Sequence, residues 1–155
     1  IEVDESYFGM KRPWVQGTDT ADRVPIFGMR ERSSGQVWAT VVPGTNHRVL
    51  VPIIEQRITR GSTIYSDGFG AYAHLDEHGY RHRVVLHAHT YVTSHIVHTN
   101  GIESFWAFAK QFFAAKKGLP RARYQLHIKE AVLRYNTRDP RKLRLLVRKI
   151  IRGMV

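Results

Sequence analysis

Three short apolar segments near the start of the chain predict β-strands. They span residues 1–8, 23–31 and 36–42, where apolar and polar side chains alternate or β-branched and aromatic residues cluster. Ser and Gly at residues 33–35 give a turn between the second and third segments, and the polar residues 10–22 predict a loop or hairpin turn. The three strands are therefore expected to form an antiparallel meander.

From residue 45 onward, helical and extended patterns alternate. Apolar positions recur every three or four residues in the helical segments, whereas the strands are short and rich in β-branched residues. Helices are expected over residues 47–58, 68–78, 102–116, 121–138 and 140–152, and strands over residues 62–66 and 81–86. Together with the meander, these elements predict an α/β domain in which a mixed five-stranded sheet is flanked by helices and followed by a helical tail.

The length and composition of the chain predict one folded domain, since it has 155 residues of which 43% are hydrophobic. We expect residues 1–138 to form this domain and residues 139–155 to form a basic amphipathic C-terminal helix. The absence of cysteine excludes disulfides and Cys-ligated metal sites and fits a cytoplasmic location. No apolar run has the length of a membrane span, and no signal peptide opens the chain.

The chain is strongly basic, with a formal charge of +11 and a pI of about 10.3. Such a charge is typical of nucleic-acid-binding domains, although an anionic membrane or an acidic protein surface is an alternative partner. The tail over residues 138–152 places cations on one helix face and an apolar stripe on the other. It could bind DNA phosphates, a partner subunit or a membrane, or pack on its own domain through the stripe.

Three acidic residues stand where the predicted elements would bring them together. Asp4 lies in the first strand, Asp67 follows the fourth, and Glu103 lies in the first turn of a helix. Ligands gather beyond the carboxyl ends of strands in open α/β sheets, and carboxylates from separate elements are the hard donors that Mg²⁺ requires. Each also has an ordinary alternative: Asp67 as a turn residue, Asp4 as a solvent-facing charge, and Glu103 as a favourable charge at a helix N-terminus.

The neighbours of these acids have their own expected roles. Glu5 follows Asp4 in a regular strand, so only one of the two can face the site. Lys110 comes seven positions after Glu103, which places both on one helix face and lets the lysine reach a DNA phosphate. The aromatic residues of the same helix, among them Trp106, are expected in the core, although one of them could stack on an unpaired base.

Three motifs carry a resemblance to a known family: DESYFG from Asp4, IYSDGFGAY around Asp67, and HTNGIESFWAFAK around Glu103. With 35 residues between Asp67 and Glu103, they resemble the motifs of bacterial insertion-sequence DDE transposases of the ISXO type. The resemblance covers most of the chain, from Asp4 to about Arg138. It implies an RNase H-like catalytic domain, as in retroviral integrases.

The resemblance also implies the chemistry of the site. Asp4, Asp67 and Glu103 would be the catalytic triad and would bind two Mg²⁺ ions, for which Mn²⁺ can substitute. Asn100 or His98 is the alternative donor at the third position, but a carboxylate suits Mg²⁺ better than a neutral amide. The family reaction is metal-dependent cleavage of DNA at the transposon ends, followed by transfer of the freed strand to target DNA.

DNA contacts and assembly follow from the same resemblance. Lys110 matches the basic residue that follows the glutamate by seven positions in this family and in retroviral integrases. Further candidate DNA contacts are Asn100, His98, Lys116 and Lys117. A homodimer or higher oligomer on DNA is expected, without membrane attachment, in the bacterial cytoplasm at the nucleoid. The N-terminal DNA-binding region usual in such transposases is not found in this chain, and because it starts at Ile1 rather than Met, we expect upstream residues to be missing.

Three other functional hypotheses fit the same residues. An RNase H-like nuclease that cuts without joining would share the triad, and an inactive transposase relic would bind DNA without cutting it. A basic interaction protein acting through its tail helix is a third possibility. Four histidines crowd residues 87–98, but their spacing matches no compact zinc motif, so we expect a loop that borders the site and contacts DNA. The sequence contains no P-loop, Rossmann glycine pattern or nucleophile elbow.

Overall fold

The fold consists of one sheet covered by helices. The computed structural model describes residues 1–9, 23–85, 99–116 and 119–153. The strands are β1 (Glu2–Phe8), β2 (Val24–Arg30), β3 (Val37–Val41), β4 (Thr63–Ser66) and β5 (Arg81–Val84). The helices are α1 (His47–Arg57), α2 (Asn100–Ala114), α3 (Tyr124–Asn136) and α4 (Pro140–Ile151), with 3₁₀ turns at Gly70–Tyr72 and Arg121–Arg123.

The sheet has the strand order β3-β2-β1-β4-β5. Strand β1 pairs antiparallel with β2, and β2 pairs antiparallel with β3, whereas β4 runs parallel to both β1 and β5. The predicted mixed sheet with three antiparallel strands at its start is therefore confirmed. Because β1 lies in the centre of the sheet, its side chains meet a packed layer on each face.

Two hydrophobic cores cover the two faces of the sheet. The first core packs α1 and the Gly70–Tyr72 turn against one face and includes Val3, Leu50 and Tyr72. The second packs α2 and α3 against the other face and includes Ile26, Trp106 and Ile128. Since side chains alternate along a strand, the odd-numbered residues of β1 face the first core and the even-numbered residues face α2.

The helix expected over residues 68–78 is not formed, and this prediction was wrong. Only Gly70–Tyr72 forms a 3₁₀ turn, and further turns lead to Gly79, whose φ is 84°. The two glycines at 68 and 70 disfavour a helix, and Oδ1 of Asp67 accepts the backbone N–H of Phe69 at 3.0 Å. The same kind of bond can cap a helix, but here the backbone of Phe69 is extended, with ψ 130°, so the chain turns instead of continuing as a helix.

Helix α4 begins at a well-formed cap, with Asp139 Oδ1 accepting the N–H of Arg141 at 2.9 Å and Pro140 in the first turn. None of its residues is buried, and Leu143 and Ile150 are 48% and 58% exposed. The interpretation in which the apolar stripe packs on its own domain is therefore wrong for the described residues. Within these ranges, no helix combines the length and the apolar character needed to cross a membrane.

Several predictions fall on residues that the structure does not describe. The loops expected over residues 10–22 and most of 87–100 lie outside the described ranges, as do His98, Lys117 and the other histidines of the segment 87–98. The predicted division into residues 1–138 and 139–155 stays a prediction.

Candidate active site

The register of the sheet brings Asp4 and Asp67 next to each other. Strands β1 and β4 are parallel, with Glu2 paired to Tyr65. Continued by two residues, past the end of β4, this register sets Asp67 beside Asp4. Asp67 directly follows β4, at the carboxyl edge where ligands of such sheets bind.

Helix α2 is fixed alongside β1 by two hydrogen bonds. The backbone N–H of Ile102 donates to Oε2 of Glu2 at 2.8 Å, and the indole Nε1–H of Trp106 donates to Oδ2 of Asp4 at 2.9 Å. Two strand residues span roughly 6.6 Å and four helical residues span about 6 Å, so the two bonds match in spacing. They hold the first turn of α2, which carries Glu103, against the strand that carries Asp4.

Glu2 is fully buried and acts as the inner anchor of this arrangement. Its Oε1 accepts from Arg32 Nε at 3.0 Å and from Arg30 Nη1 at 3.5 Å, so two guanidinium groups offset the buried charge. A Cβ at Gly101 would lie 2.6 Å from Glu2 Oε2 and would collide with the Arg30 guanidinium. Glycine at this position therefore lets the helix end approach the anchor.

The electrostatics of Asp4 show that the charges of the other two predicted acids act on it. The pKa of Asp4 is raised to about 6, mainly by burial and also by the negative charges of Asp67 and Glu103, although hydrogen bonds from Glu5 N and Trp106 Nε1 act to lower it. A cation beside Asp4 would favour the charged form of this carboxylate. Perturbed groups of this kind concentrate at functional sites.

Glu5 is a fourth carboxylate that the sequence interpretation left out of the site. As the alternation of β1 predicts, it bonds on the opposite face, where the hydroxyl of buried Tyr72 donates to its Oε2 at 2.5 Å. Burial raises the pKa of Glu5 to about 7, and the charges of Asp4 and Asp67 contribute to the increase. Glu5 thus adds negative potential to the site from the other side of the sheet.

Each of the three acids accepts a hydrogen bond from a residue close to it in the sequence. Asp67 accepts the N–H of Phe69, and Oε1 of Glu103 accepts the hydroxyl of Thr99 at 2.7 Å. Among the described residues, no three His, Cys, Asp or Glu side chains come close enough together to hold a metal ion. The donor set nevertheless fits a hard divalent cation in its chemistry, because it consists of carboxylate oxygens whose mutual repulsion a cation would relieve.

The predicted DNA contacts are distributed along α2. Asn100 is exposed at its first turn, and Lys110 is exposed about two turns after Glu103. Lys116 lies just beyond the helix, where its Nζ is 3.8 Å from Glu130 Oε2 and 4.8 Å from the ring centre of Phe112. Lys116 is thus already engaged within the protein, whereas Lys110 and Asn100 face solvent.

Trp106 combines two roles, of which the sequence interpretation included only one. It is buried in the second core, as expected, and it is also the side-chain donor to Asp4. The sequence did contain a hint of this contact, namely the glycine at position 28 inside the second strand. Gly28 pairs with Asp4 across the β1–β2 ladder. Glycine inside a strand often marks the close approach of another group, which here is the indole ring.

The chain is similar in sequence to proteins related to transposases. The family model described as ISXO2-like transposase domain matches residues 1–136. An uncharacterized transposase-like protein of Haemophilus influenzae is 28% identical over 118 residues, which cover 76% of this chain and 95% of that protein. An uncharacterized protein in transposable element ISH50 of Halobacterium salinarum is 28% identical over 123 residues, which cover 77% of this chain but only 41% of that protein.

The fold has a counterpart among solved structures. The catalytic core domain of BIV integrase superposes with a TM-score of 0.57 at 18% sequence identity, covering 86% of this chain and 80% of that chain. At this identity the likeness concerns the fold alone. It confirms the RNase H-like, retroviral-integrase-like fold that the motifs implied.

Proposed function

Because the chain belongs to the ISXO2-like transposase domain family, we propose that it is a DDE catalytic domain that cuts DNA strands and joins the freed ends to target DNA. The observation that carries the proposal is the effect of Asp67 and Glu103 on Asp4. Burial is the main cause of the raised pKa of Asp4 in β1, and the charges of Asp67 at the end of β4 and of Glu103 on α2 add to it. Convergence of acids from separate elements is what a phosphodiester-processing metal site requires.

In this proposal Asp4, Asp67 and Glu103 hold two Mg²⁺ ions, or Mn²⁺ in their place. When bound, the ions supply the positive charge that activates an attacking oxygen and stabilises a leaving one. The protein supplies the orientation of the ligands: Glu5 N and Trp106 Nε1 each occupy one oxygen of Asp4. A carboxylate has about four acceptor positions, so each oxygen keeps capacity for a cation.

The basic surface of the chain supports DNA as the substrate. Lys110 and Asn100 are exposed on the helix that carries Glu103, so they would contact phosphates next to the scissile bond. Helix α4 adds further cations and contains no acidic residue. Assembly as a homodimer on two transposon ends, and a cytoplasmic location at the nucleoid, belong to the same proposal.

The decisive experiment measures cleavage and joining of labelled transposon-end DNA by the full-length protein in Mg²⁺ or Mn²⁺. Asp67→Asn should abolish both reactions while leaving DNA affinity nearly unchanged, because the substitution removes a metal ligand rather than a phosphate contact. Glu77→Gln is the matched control, since Glu77 is 73% exposed and bonded only locally to His74. It should retain activity.

The products separate the alternatives. Cleavage without joined products would favour a nuclease. DNA binding without cleavage in any variant would favour an inactive relic, and normal cleavage by Asp67→Asn would show that the triad is assigned wrongly.

A further inference from the structure

We infer that Trp106 is a positioning residue that fixes the carboxylate of Asp4 for cation binding. Position 28 requires glycine because any larger residue would collide with the indole ring of Trp106. The inference rests on the proposed function, because it takes Asp4 to be a metal ligand. Trp106 itself would touch neither metal nor DNA. It would act through Asp4.

The hydrogen bonds of Asp4 determine the plane of its carboxylate. Oδ1 accepts the N–H of Glu5 at 2.8 Å, and Oδ2 accepts the indole Nε1–H of Trp106 at 2.9 Å. The first donor belongs to the backbone of β1 and is always present. The second is a side-chain donor that opposes rotation about the Cβ–Cγ bond of Asp4. Unlike the backbone donor, it can be removed by a substitution.

The indole ring is itself held firmly. Trp106 is 4% exposed, its ring centre lies 6.0 Å from that of Phe8 in an edge-to-face arrangement, and it lies 5.0 Å from that of Phe105. A buried ring packed against two other rings has little rotational freedom. Its N–H is therefore a fixed point against which Asp4 is oriented.

Gly28 provides the space for this ring. It faces Asp4 across the β1–β2 ladder, and a Cβ at this position would lie 2.7 and 2.8 Å from Cζ2 and Cη2 of Trp106. Both distances are too short for a real contact. Gly28 is absent from the positive-φ glycines of the described residues, so its backbone would accept other amino acids. The neighbouring ring, rather than backbone conformation, requires glycine here.

The position of Trp106 in α2 links two ligands of the candidate site. Trp106 follows Glu103 by three residues on the same helix, while its N–H reaches the strand that carries Asp4. One side chain thus fixes the orientation of Asp4 relative to the helix that supplies the third acid. Groups that orient metal ligands in this way typically contribute about 10–100-fold to metal affinity or activity.

The test removes the N–H without removing the ring. Site-specific replacement of Trp106 by benzothienylalanine exchanges the N–H for sulfur at nearly constant shape, and Trp106→Phe removes the N–H together with part of the ring. Mn²⁺ affinity is measured by calorimetry, and DNA cleavage is measured as a function of Mn²⁺ concentration. Both variants should bind Mn²⁺ about 10–100-fold more weakly, with DNA affinity unchanged. Excess Mn²⁺ should restore much of the cleavage rate in the benzothienylalanine protein.

Trp38→Phe is the matched control, because Trp38 lies on β3, away from Asp4. The Cζ atom of Arg57 lies 4.1 Å from the centre of the Trp38 ring. It should leave Mn²⁺ affinity unchanged. A benzothienylalanine protein with wild-type Mn²⁺ affinity and a wild-type metal dependence of cleavage would overturn the inference.

A double-mutant cycle tests the role of Gly28. Gly28→Ala alone should displace the indole and weaken Mn²⁺ binding to a similar extent as Trp106→Phe. In the Trp106→Phe background, the atoms Cζ2 and Cη2 are gone, so Gly28→Ala should cost little more. Additive effects of the two substitutions would contradict the proposed contact.

The outcomes also distinguish this inference from the proposed function. If the wild-type protein binds no Mn²⁺, or if Asp67→Asn leaves its binding unchanged, both fail together. If Mn²⁺ binding depends on Asp67 but not on the indole N–H, the metal site stands and only the role of Trp106 is wrong.

Discussion

Oε2 of Glu2 accepts the backbone N–H of Ile102 at 2.8 Å, which joins the first turn of α2 to the central strand. The residue after Ile102 is Glu103, the third acid of the candidate site. A single buried hydrogen bond therefore contributes both to the stability of the fold and to the position of a proposed metal ligand.

Glu2→Gln should destabilise the protein by about 3 kcal/mol, because it leaves Arg30 and Arg32 facing an uncharged amide in a buried position. Urea unfolding followed by circular dichroism measures the change in the free energy of unfolding. The exposed pair of Glu77 with His74 offers the control, and Glu77→Gln should change stability by less than about 0.5 kcal/mol. A Glu2→Gln protein as stable as the wild type would show that this anchor is unimportant.

Without metal, stability should fall as the pH rises through the range in which Asp4 and Glu5 titrate. Their pKa values are raised from 3.8 and 4.5 to about 6 and about 7 in the folded protein. The folded state therefore binds more protons than the unfolded state between these limits, and it loses stability until the pH exceeds the folded pKa values.

Asp4→Asn should flatten this dependence, because an amide does not titrate. From pH 4 to pH 6.5 in EDTA, the variant should lose about 2 kcal/mol less stability than the wild type. Chemical denaturation at several pH values measures the difference, and saturating Mn²⁺ should stabilise the wild type at pH 7 but not the variant. Parallel pH profiles of the two proteins would argue against the raised pKa of Asp4.

Tyr72→Phe should lower stability more above pH 7 than below pH 5. The hydroxyl of Tyr72 donates to Glu5, and its loss raises the pKa of Glu5 further because the ionised form loses a donor. The expected cost is about 1–3 kcal/mol at high pH. Tyr7→Phe is the control, since the hydroxyl of Tyr7 meets Thr45 Oγ1 at 2.9 Å and its loss should have the same effect at all pH values.

Lys110→Ala should weaken DNA binding and reduce the slope of log K against log salt by about 1, the value for one lost phosphate contact. Fluorescence anisotropy over a range of salt concentrations measures both the DNA affinity and this slope. Lys129, which is exposed on α3, provides a charge-matched control, and Lys129→Ala should have a smaller effect. An unchanged slope for Lys110→Ala would exclude a phosphate contact at this position.

The sequence predicted the features that depend on local pattern. The strands and most helices follow from periodicity within a few residues. Each of the three acids could be assigned to an element, because Asp4 lies inside a strand, Asp67 follows one and Glu103 lies in the first turn of a helix. The helix predicted over residues 68–78 does not form, because the glycines at 68 and 70 and the extended backbone of Phe69 interrupt it. There, local backbone chemistry decides the structure.

The contacts that orient the acids could not be predicted from pattern. Trp106 is bonded to Asp4 across 102 positions of sequence and Ile102 to Glu2 across 100. A buried Trp and a strand Gly are each common, and only the three-dimensional packing shows that the glycine accommodates the indole. Likewise, the amphipathic pattern of α4 predicted a helix but not that its apolar stripe would remain exposed.

The parallel pairing of β1 with β4 also has a kinetic consequence. The β1–β3 meander needs only nearby residues, but Asp4 meets Asp67 only after a loop of about sixty residues has closed, which makes such pairings slow. A chain that has formed only its meander therefore contains Asp4 in its strand without Asp67 beside it. If the proposed metal site exists, Mn²⁺ binding during refolding would therefore report the closure of this long loop rather than the formation of the meander.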